Sequence, residues 1–264
     1  YFDHFPVLEI DYTFYQPLLD SNGTPTQSFQ VLKSYREHMA NGDSVILKVP
    51  QIIFAEKIRQ GSGYLPNETY LNPEVFTRRF YEPATELLGP YLRGFIFEQE
   101  YQRKDERTPE RELARALAGF FEALPADPRY HVEFRTESYL HKAVFSVMEK
   151  YGIGQVLSHW TWLPALSVQY ARSGCAFFNS GRHAVVRLMT PVGTRYEDAF
   201  ARAFPFDRLI DGMLQPRMID EAAELINEGI RQNVRMNLII NNRAGGNAPL
   251  IAQLIARRFL SKPA

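Results

Sequence analysis

The chain has one cysteine, Cys175, in 264 residues. An internal disulfide is therefore excluded, and with it the disulfide-stapled secreted scaffold. Neither charge is in excess: thirty Lys and Arg balance thirty Asp and Glu, so the formal net charge is zero. A general nucleic-acid coat is basic, which leaves a local basic patch as the only form such binding could take. No apolar run approaches the eighteen or so residues of a membrane span, and no signal peptide opens the chain. The expectation is a cytoplasmic protein with no membrane partner. There is no fixed-period repeat, low-complexity tract or linker. None of the six histidines stands in His-x-x-x-His spacing, and Cys-x-x-Cys, Gly-x-Gly-x-x-Gly and Walker patterns are missing. No cofactor is expected on these grounds. A carboxylate-held divalent metal such as Mg²⁺ or Mn²⁺ stays open.

What is present is ordinary globular material, 45% hydrophobic and 23% charged, enough for one large core. Short β-rich runs alternate with helical spacing. Strands are expected at Val7–Tyr15, Ser44–Val49, Gly94–Gln99, Tyr130–Arg135, Gln155–Trp160, Ala184–Met189 and Met236–Asn241. Between them, apolar residues recur every three or four positions: Phe29, Leu32, Tyr35 and Met39; Phe76, Phe80, Ala84, Leu87 and Leu88; Leu113, Leu117, Phe120 and Phe121; Val144, Met148 and Tyr151; Ile251, Leu254 and Ile255. Such stripes mark amphipathic helices. Thr108 before Pro109 reads as a helix cap followed by a first-turn proline, and Asn247 before Ala248 and Pro249 reads as another.

The expected strands tend to end in polar residues. Glu9, Asp11 and Thr13 share a face of VLEIDYTFY. Lys48 closes VILK, Glu133 and Arg135 share a face of HVEFRT, Arg187 lies in AVVRLM, and Asn241 and Asn242 end LIINN. Repeated β-α units imply parallel strands. An open doubly wound sheet collects its ligand groups at one switch point, whereas a (β/α) barrel collects them from many strands at its C-terminal rim. The even spread from Glu9 to Asn242 favours an α/β, TIM-like barrel forming a single domain over residues 1–264. Seven strands are visible where such a barrel has eight. The expectation is that the first strand precedes Tyr1, or else is hidden in an irregular run. The segment Gln51–Asn72, with Gly61, Gly63, Pro66 and Asn67, is long for a connection and follows the second strand, which puts it on the functional face.

Four segments carry a family resemblance. FPVLEIDYTFYQPL, VILKVPQ, YHVEFRTESYL and LIINNRAGGNAPLIAQLI resemble, in order, motifs of the domain-of-unknown-function 72 (YecE-like) family. The resemblance implies a TIM-like barrel and a first strand ahead of Tyr1. Asp11 stands where the family often has Asn, Arg243 where it often has His, and Tyr139 where it usually has Trp. No settled activity comes with the resemblance.

Function is therefore read from the residues. Glu9, Asp11 and Glu133 are candidates for general acid, general base or metal ligand, because carboxylates held close drive one pKa up. The plain alternative is a salt-bridge lattice with Lys48, Arg135 and Arg187 that only secures the barrel. Lys48 suits electrostatic contact with a substrate better than Schiff-base chemistry, since neighbouring carboxylates raise a lysine pKa. Arg135, His159, Arg187, Asn241 and Asn242 are candidate substrate-binding groups. Gly245 and Gly246, ahead of a helix start, offer either an anion cradle or a tight turn. Trp160 and Trp162 read as rim packing, with stacking on a ligand as the alternative. Cys175 reads as buried and inert. The resulting expectation is an enzyme performing acid–base chemistry, hydrolysis or isomerisation, on a small polar or anionic molecule that is hydroxylated or phosphorylated. The rival is a binding or sensing protein for a phosphate-bearing ligand or a nucleic-acid end.

Overall fold

The computed structural model describes residues 2–60 and 63–261. The strands, in chain order, are β1 (Val7–Ile10), β2 (Ser44–Lys48), β3 (Lys57–Gln60), β4 (Gly63–Pro66), β5 (Leu92–Gln99), β6 (Tyr130–Phe134), β7 (Gly154–His159), β8 (His183–Leu188) and β9 (Arg235–Ile240). All but β3 and β4 belong to one sheet of order β1-β2-β5-β6-β7-β8-β9, every pairing parallel. The sheet curls into a nearly closed barrel, as expected from the alternation. The helices are α1 (Gln27–Glu37), α2 (Gln51–Phe54), α3 (Pro73–Phe76), α4 (Glu82–Leu88), α5 (Glu110–Ala123), α6 (Lys142–Tyr151), α7 (Leu166–Arg172), α8 (Tyr196–Ala203), α9 (Pro216–Arg231) and α10 (Ala248–Leu260).

Several expectations need correction. The first strand stops at Ile10, and Tyr12–Phe14 form a 3-10 turn. Buried Thr13 holds that turn, its hydroxyl donating to the carbonyls of Lys48 at 2.7 Å and Ile10 at 3.2 Å. Helix α5 begins at Glu110 with Pro109 at its cap position; the Thr108 hydroxyl donates instead to Glu56. The stripe from Phe76 to Leu88 is one helical run, α3 to α4, interrupted by a π turn at Thr77–Tyr81. Pro83 lacks the N–H that an unbroken α ladder needs there. The Asn247 cap does form, its side chain accepting from the Leu250 N–H at 2.9 Å. The Gln51–Asn72 segment is no open loop: it contains α2 and the antiparallel β3–β4 hairpin, although Gly61 lies outside the described residues.

Inward-facing residues stack in layers, as barrel closure demands. At the bottom, His131 fills the space above Gly154, where an added Cβ would come 2.3 Å from the imidazole. The middle layer is aliphatic: Ile46, Ile96, Val156 and Val185, with Val7 and Ile239 packed against them. Each fully buried side chain of this kind contributes about 1.5–3 kcal/mol. The third layer, at the C-terminal ends, is charged. Outside the barrel, Phe54, Phe76, Phe95, Phe97, Phe120 and Phe121 pack between β5 and its covering helices.

The ring is interrupted between β1 and β9, the two edge strands, which do not pair with each other. A slot of about 820 Å³ opens through the wall there, lined on the outer side by Leu8, Ile10, Leu238 and Ile240 and reaching the interior at Glu9 and Asn241. No eighth barrel strand lies among the described residues.

Candidate functional site

Parity along each strand decides which charges enter the mouth. With Val7, Ile46, Ile96, Val185 and Ile239 pointing inward, residues two further on must do the same. These are Glu9, Lys48, Glu98, Arg187 and Asn241. In β6 the same alternation turns His131, Glu133 and Arg135 inward. In the register between strands, Glu98 stands directly beside Glu133. Two carboxylates so placed repel each other unless cations sit between them, and two do.

Arg187, 1% exposed, is at the centre. Its Nε donates to Glu9 Oε2 at 2.7 Å and its Nη2 to Glu9 Oε1. Its Nη1 donates to Glu133 and, at 3.2 Å, to Glu98. Arg135 joins the same two carboxylates: Nη2 lies 2.7 Å from Glu98 and Nε 3.1 Å from Glu133. Lys48 Nζ lies 2.7 Å from Glu98 and 3.1 Å from Asp11, whose side chain is 59% exposed. Glu133 is fully buried, so it touches the cations and not the solvent. The sequence-predicted Glu9, Asp11, Lys48, Glu133, Arg135 and Arg187 therefore form one lattice.

Glu98 belongs to this lattice although its sequence setting gave no warning beyond alternation with Ile96. Burial disfavours its charge, but Arg135, Lys48 and Arg187 together hold its carboxyl well below the usual carboxylate range. Glu9 moves the other way. Burial raises its pKa, and Arg187, shared among three carboxylates, only partly offsets this. Burial works against the charges of Arg187 and Lys48 too, but the surrounding carboxylates leave both above their ordinary values.

Aromatic faces cover the cations. Lys48 Nζ sits 4.1 Å from the centre of the Phe14 ring, the Arg135 guanidinium 4.4 Å from Trp160, and that of Arg243 3.9 Å from Tyr196. Such contacts set the negative face of each ring against a cation. Arg243 also donates to the Tyr196 hydroxyl, while its Nε and the Trp160 indole N–H are buried with no protein partner.

Other expected site residues do not join the lattice. His159 has the outward parity of Leu157; its Nδ1 meets the Thr190 carbonyl at 3.0 Å, and burial lowers its pKa. Asn241 points inward, but its carboxamide oxygen accepts from the Arg243 N–H. Asn242 accepts from the Ala248 N–H, and Asn247 from that of Leu250, so the start of α10 spends these donors on its own side chains. Gly245 and Gly246 serve close packing against the segment 208–214. A Cβ on Gly246, whose φ is +109°, would come 2.2 Å from the Arg208 carbonyl. Cys175 is exposed, with φ of +57° in the turn after α7, contrary to the buried placement expected. The β3–β4 hairpin leans on the loop after β5, where Glu100 accepts from the Lys57 N–H and Glu106 pairs with the Lys57 ammonium.

Among the described residues, no group of three or more His, Cys, Asp or Glu is arranged to hold a metal ion. The carboxylate oxygens are turned toward guanidinium and ammonium groups instead. The lining of the wall slot is mostly apolar; it meets the charged layer only at its upper end. Among the described residues, no helix is long and apolar enough to cross a membrane.

A family model described as "Protein of unknown function DUF72" matches residues 1–263. Two crystal structures of a DUF72 family protein from Enterococcus faecalis are similar. In one the TM-score is 0.60 at 16% identity, with 98% of this chain and 86% of that chain covered. In the other it is 0.60 at 14%, with 98% and 92% covered. A DUF72 family protein from Thermotoga maritima is similar with a TM-score of 0.54 at 16% identity, with 98% and 85% covered. At such identities the likeness is one of fold. No curated protein matches the chain.

Proposed function

The chain belongs to the DUF72 family of proteins of unknown function, and on that premise we propose that it is an enzyme performing acid–base chemistry, hydrolysis or isomerisation, on a small polar molecule. The observation that carries this reading is the unequal pairing of two carboxylates on one guanidinium: Glu98 meets Lys48, Arg135 and Arg187, whereas Glu9 meets Arg187, so burial raises the pKa of Glu9 while the three cations lower that of Glu98. Environments that push paired acids apart are how a site assigns its proton donor and its fixed anion. Glu9 moves the proton. Glu98 and Asp11 accept hydrogen bonds from the substrate, and Lys48 steadies negative charge that develops during the reaction. Glu133 and Arg135 hold this arrangement in place. Hydroxylated substrates suit the lattice better than phosphorylated ones, because Lys48, Arg135 and Arg187 are already paired and the first N–H groups of α10 are capped, while Arg243 lies outside the lattice against Tyr196.

One observation favours the rival reading, a binding protein without turnover: every charge in the third layer already has an opposite partner. A screen for hydrolysis and isomerisation of hydroxylated and phosphorylated small molecules, run with wild type and Glu9→Gln, separates the two. The expected result is turnover that falls by roughly 10²–10⁴-fold in the variant, the contribution of a positioned proton carrier. Ligand-dependent thermal stabilisation with no turnover, equal in both proteins, would overturn the enzyme reading.

A further inference from the structure

Two large aromatic rings stand open above the charged layer. Tyr101 follows β5 and is 42% exposed; Trp162 follows β7 and is 53% exposed. Their ring centres lie 5.3 Å apart with a tilt of 32°, so they meet across the end of β6, the strand between theirs. Neither loop is slack. The Thr161 hydroxyl donates to the Thr194 carbonyl at 2.9 Å, and the Leu163 N–H closes a turn onto the Trp160 carbonyl. Next to Tyr101, the Gln102 N–H donates to Thr136 and its side chain to Glu56. Packing does not require this pair, since both rings remain wet. The platform connects to the lattice by short steps: Trp160 precedes Trp162 by two residues and covers Arg135, which grips Glu98.

The geometry points to a binding subsite for a polyhydroxylated ring, with one C–H face of the ring on an outer face that the packed Tyr101–Trp162 pair leaves open and its hydroxyls donating to the mouth carboxylates. A saturated sugar ring presents slightly positive C–H hydrogens on its face, which suit the negative face of an aromatic ring, while its rim supplies donors. Charge decides against a nucleotide. Within the lattice Lys48, Arg135 and Arg187 are all engaged by Glu9, Asp11, Glu98 and Glu133, and the guanidinium of Arg243, outside it, is taken up by Tyr196. Asp11 is the most accessible acceptor. This inference rests on the acid–base reading of the same mouth and names its substrate class.

The chain has only two tryptophans, Trp160 and Trp162, so its tryptophan emission reports directly on this place. The test is fluorescence titration of the intact protein with neutral monosaccharides and disaccharides, a uronic acid, adenosine and AMP, repeated by calorimetry with Trp162→Ala, Tyr101→Ala and Tyr101→Phe. Expected is saturable binding of sugars, weakened roughly tenfold in both alanine variants and retained with phenylalanine, the scale of one stacking contact. Adenosine or AMP binding more tightly than every sugar would overturn the assignment in favour of a flat base. So would no saturable response to any sugar, or sugar binding indifferent to Trp162→Ala. The two readings fail separately. Turnover that depends on Glu9 but not on Trp162 removes the platform alone. Sugar binding that depends on Trp162, with turnover untouched by Glu9→Gln, removes only the acid–base assignment.

Discussion

The second and third layers of the barrel interior are one residue pair apart along the same strands, yet they are held by different forces. Ile46, Ile96, Val156 and Val185 form a dry aliphatic plug whose stability grows with buried area and does not depend on pH. Two residues further along, Lys48, Glu98, Ser158 and Arg187 occupy the corresponding places. There, stability depends on each charge meeting its opposite, because an unpaired buried ion costs several kcal/mol. The plug can lose a methyl group and relax. The lattice has no such tolerance, since one guanidinium, Arg187, touches Glu9, Glu98 and Glu133 together and is the ion-pair partner of Glu9. The plug beneath thus makes the mouth a rigid floor on which charges can be placed.

The sharpest way to break this contrast is Arg187→Met, which strips Glu9 of its ion-pair partner and leaves Glu98 and Glu133 to Arg135 and Lys48. The expected loss is about 3–5 kcal/mol in chemical denaturation; a loss under about 1 kcal/mol would mean that the lattice does not secure the barrel. A smaller effect should appear in stability against pH. Glu98 has a depressed folded pKa, so its contribution is present above the unfolded carboxylate value of 4.5 and is lost as pH falls through the folded value. Glu9 has the opposite sign: its contribution is present below 4.5 and is lost as pH rises through its raised folded value. Denaturation curves measured across acid pH should therefore be flattened on the acid side by Glu98→Gln and relieved of the decline toward neutrality by Glu9→Gln. Identical pH profiles for both variants would count against the opposed environments. The smallest effect is expected in the plug: Ile96→Val should cost about 1 kcal/mol at every pH tested, and any pH dependence there would blur the line between the layers.

Much of the mouth was legible because inward parity is a local property. Glu9, Lys48, Glu133 and Arg187 could each be placed by counting in twos from apolar neighbours. Glu98 escaped notice among the aromatic residues of FIFEQ, though the same counting from Ile96 would have found it. His159 closes its strand, but its parity with Leu157 turns it away from the mouth and onto the Thr190 carbonyl. Helix α9 lay unread in a stretch with no strand-like flank, although Met218, Ala222 and Leu225 repeat on one face. The Tyr101–Trp162 pair had no sequence signal, since its members come from loops sixty-one positions apart.

By itself, the order of residues determined the alternation of strand and helix, the parallel sheet and the polar strand ends, because these follow from periodicities of two and 3.6 within short segments. Only the folded ring decided which charges meet, that Arg187 reaches three carboxylates, that the α10 loop turns its donors on itself, and that two open rings come together over β6. Those outcomes depend on register and curvature summed over the whole sheet, which no local stretch of chain contains.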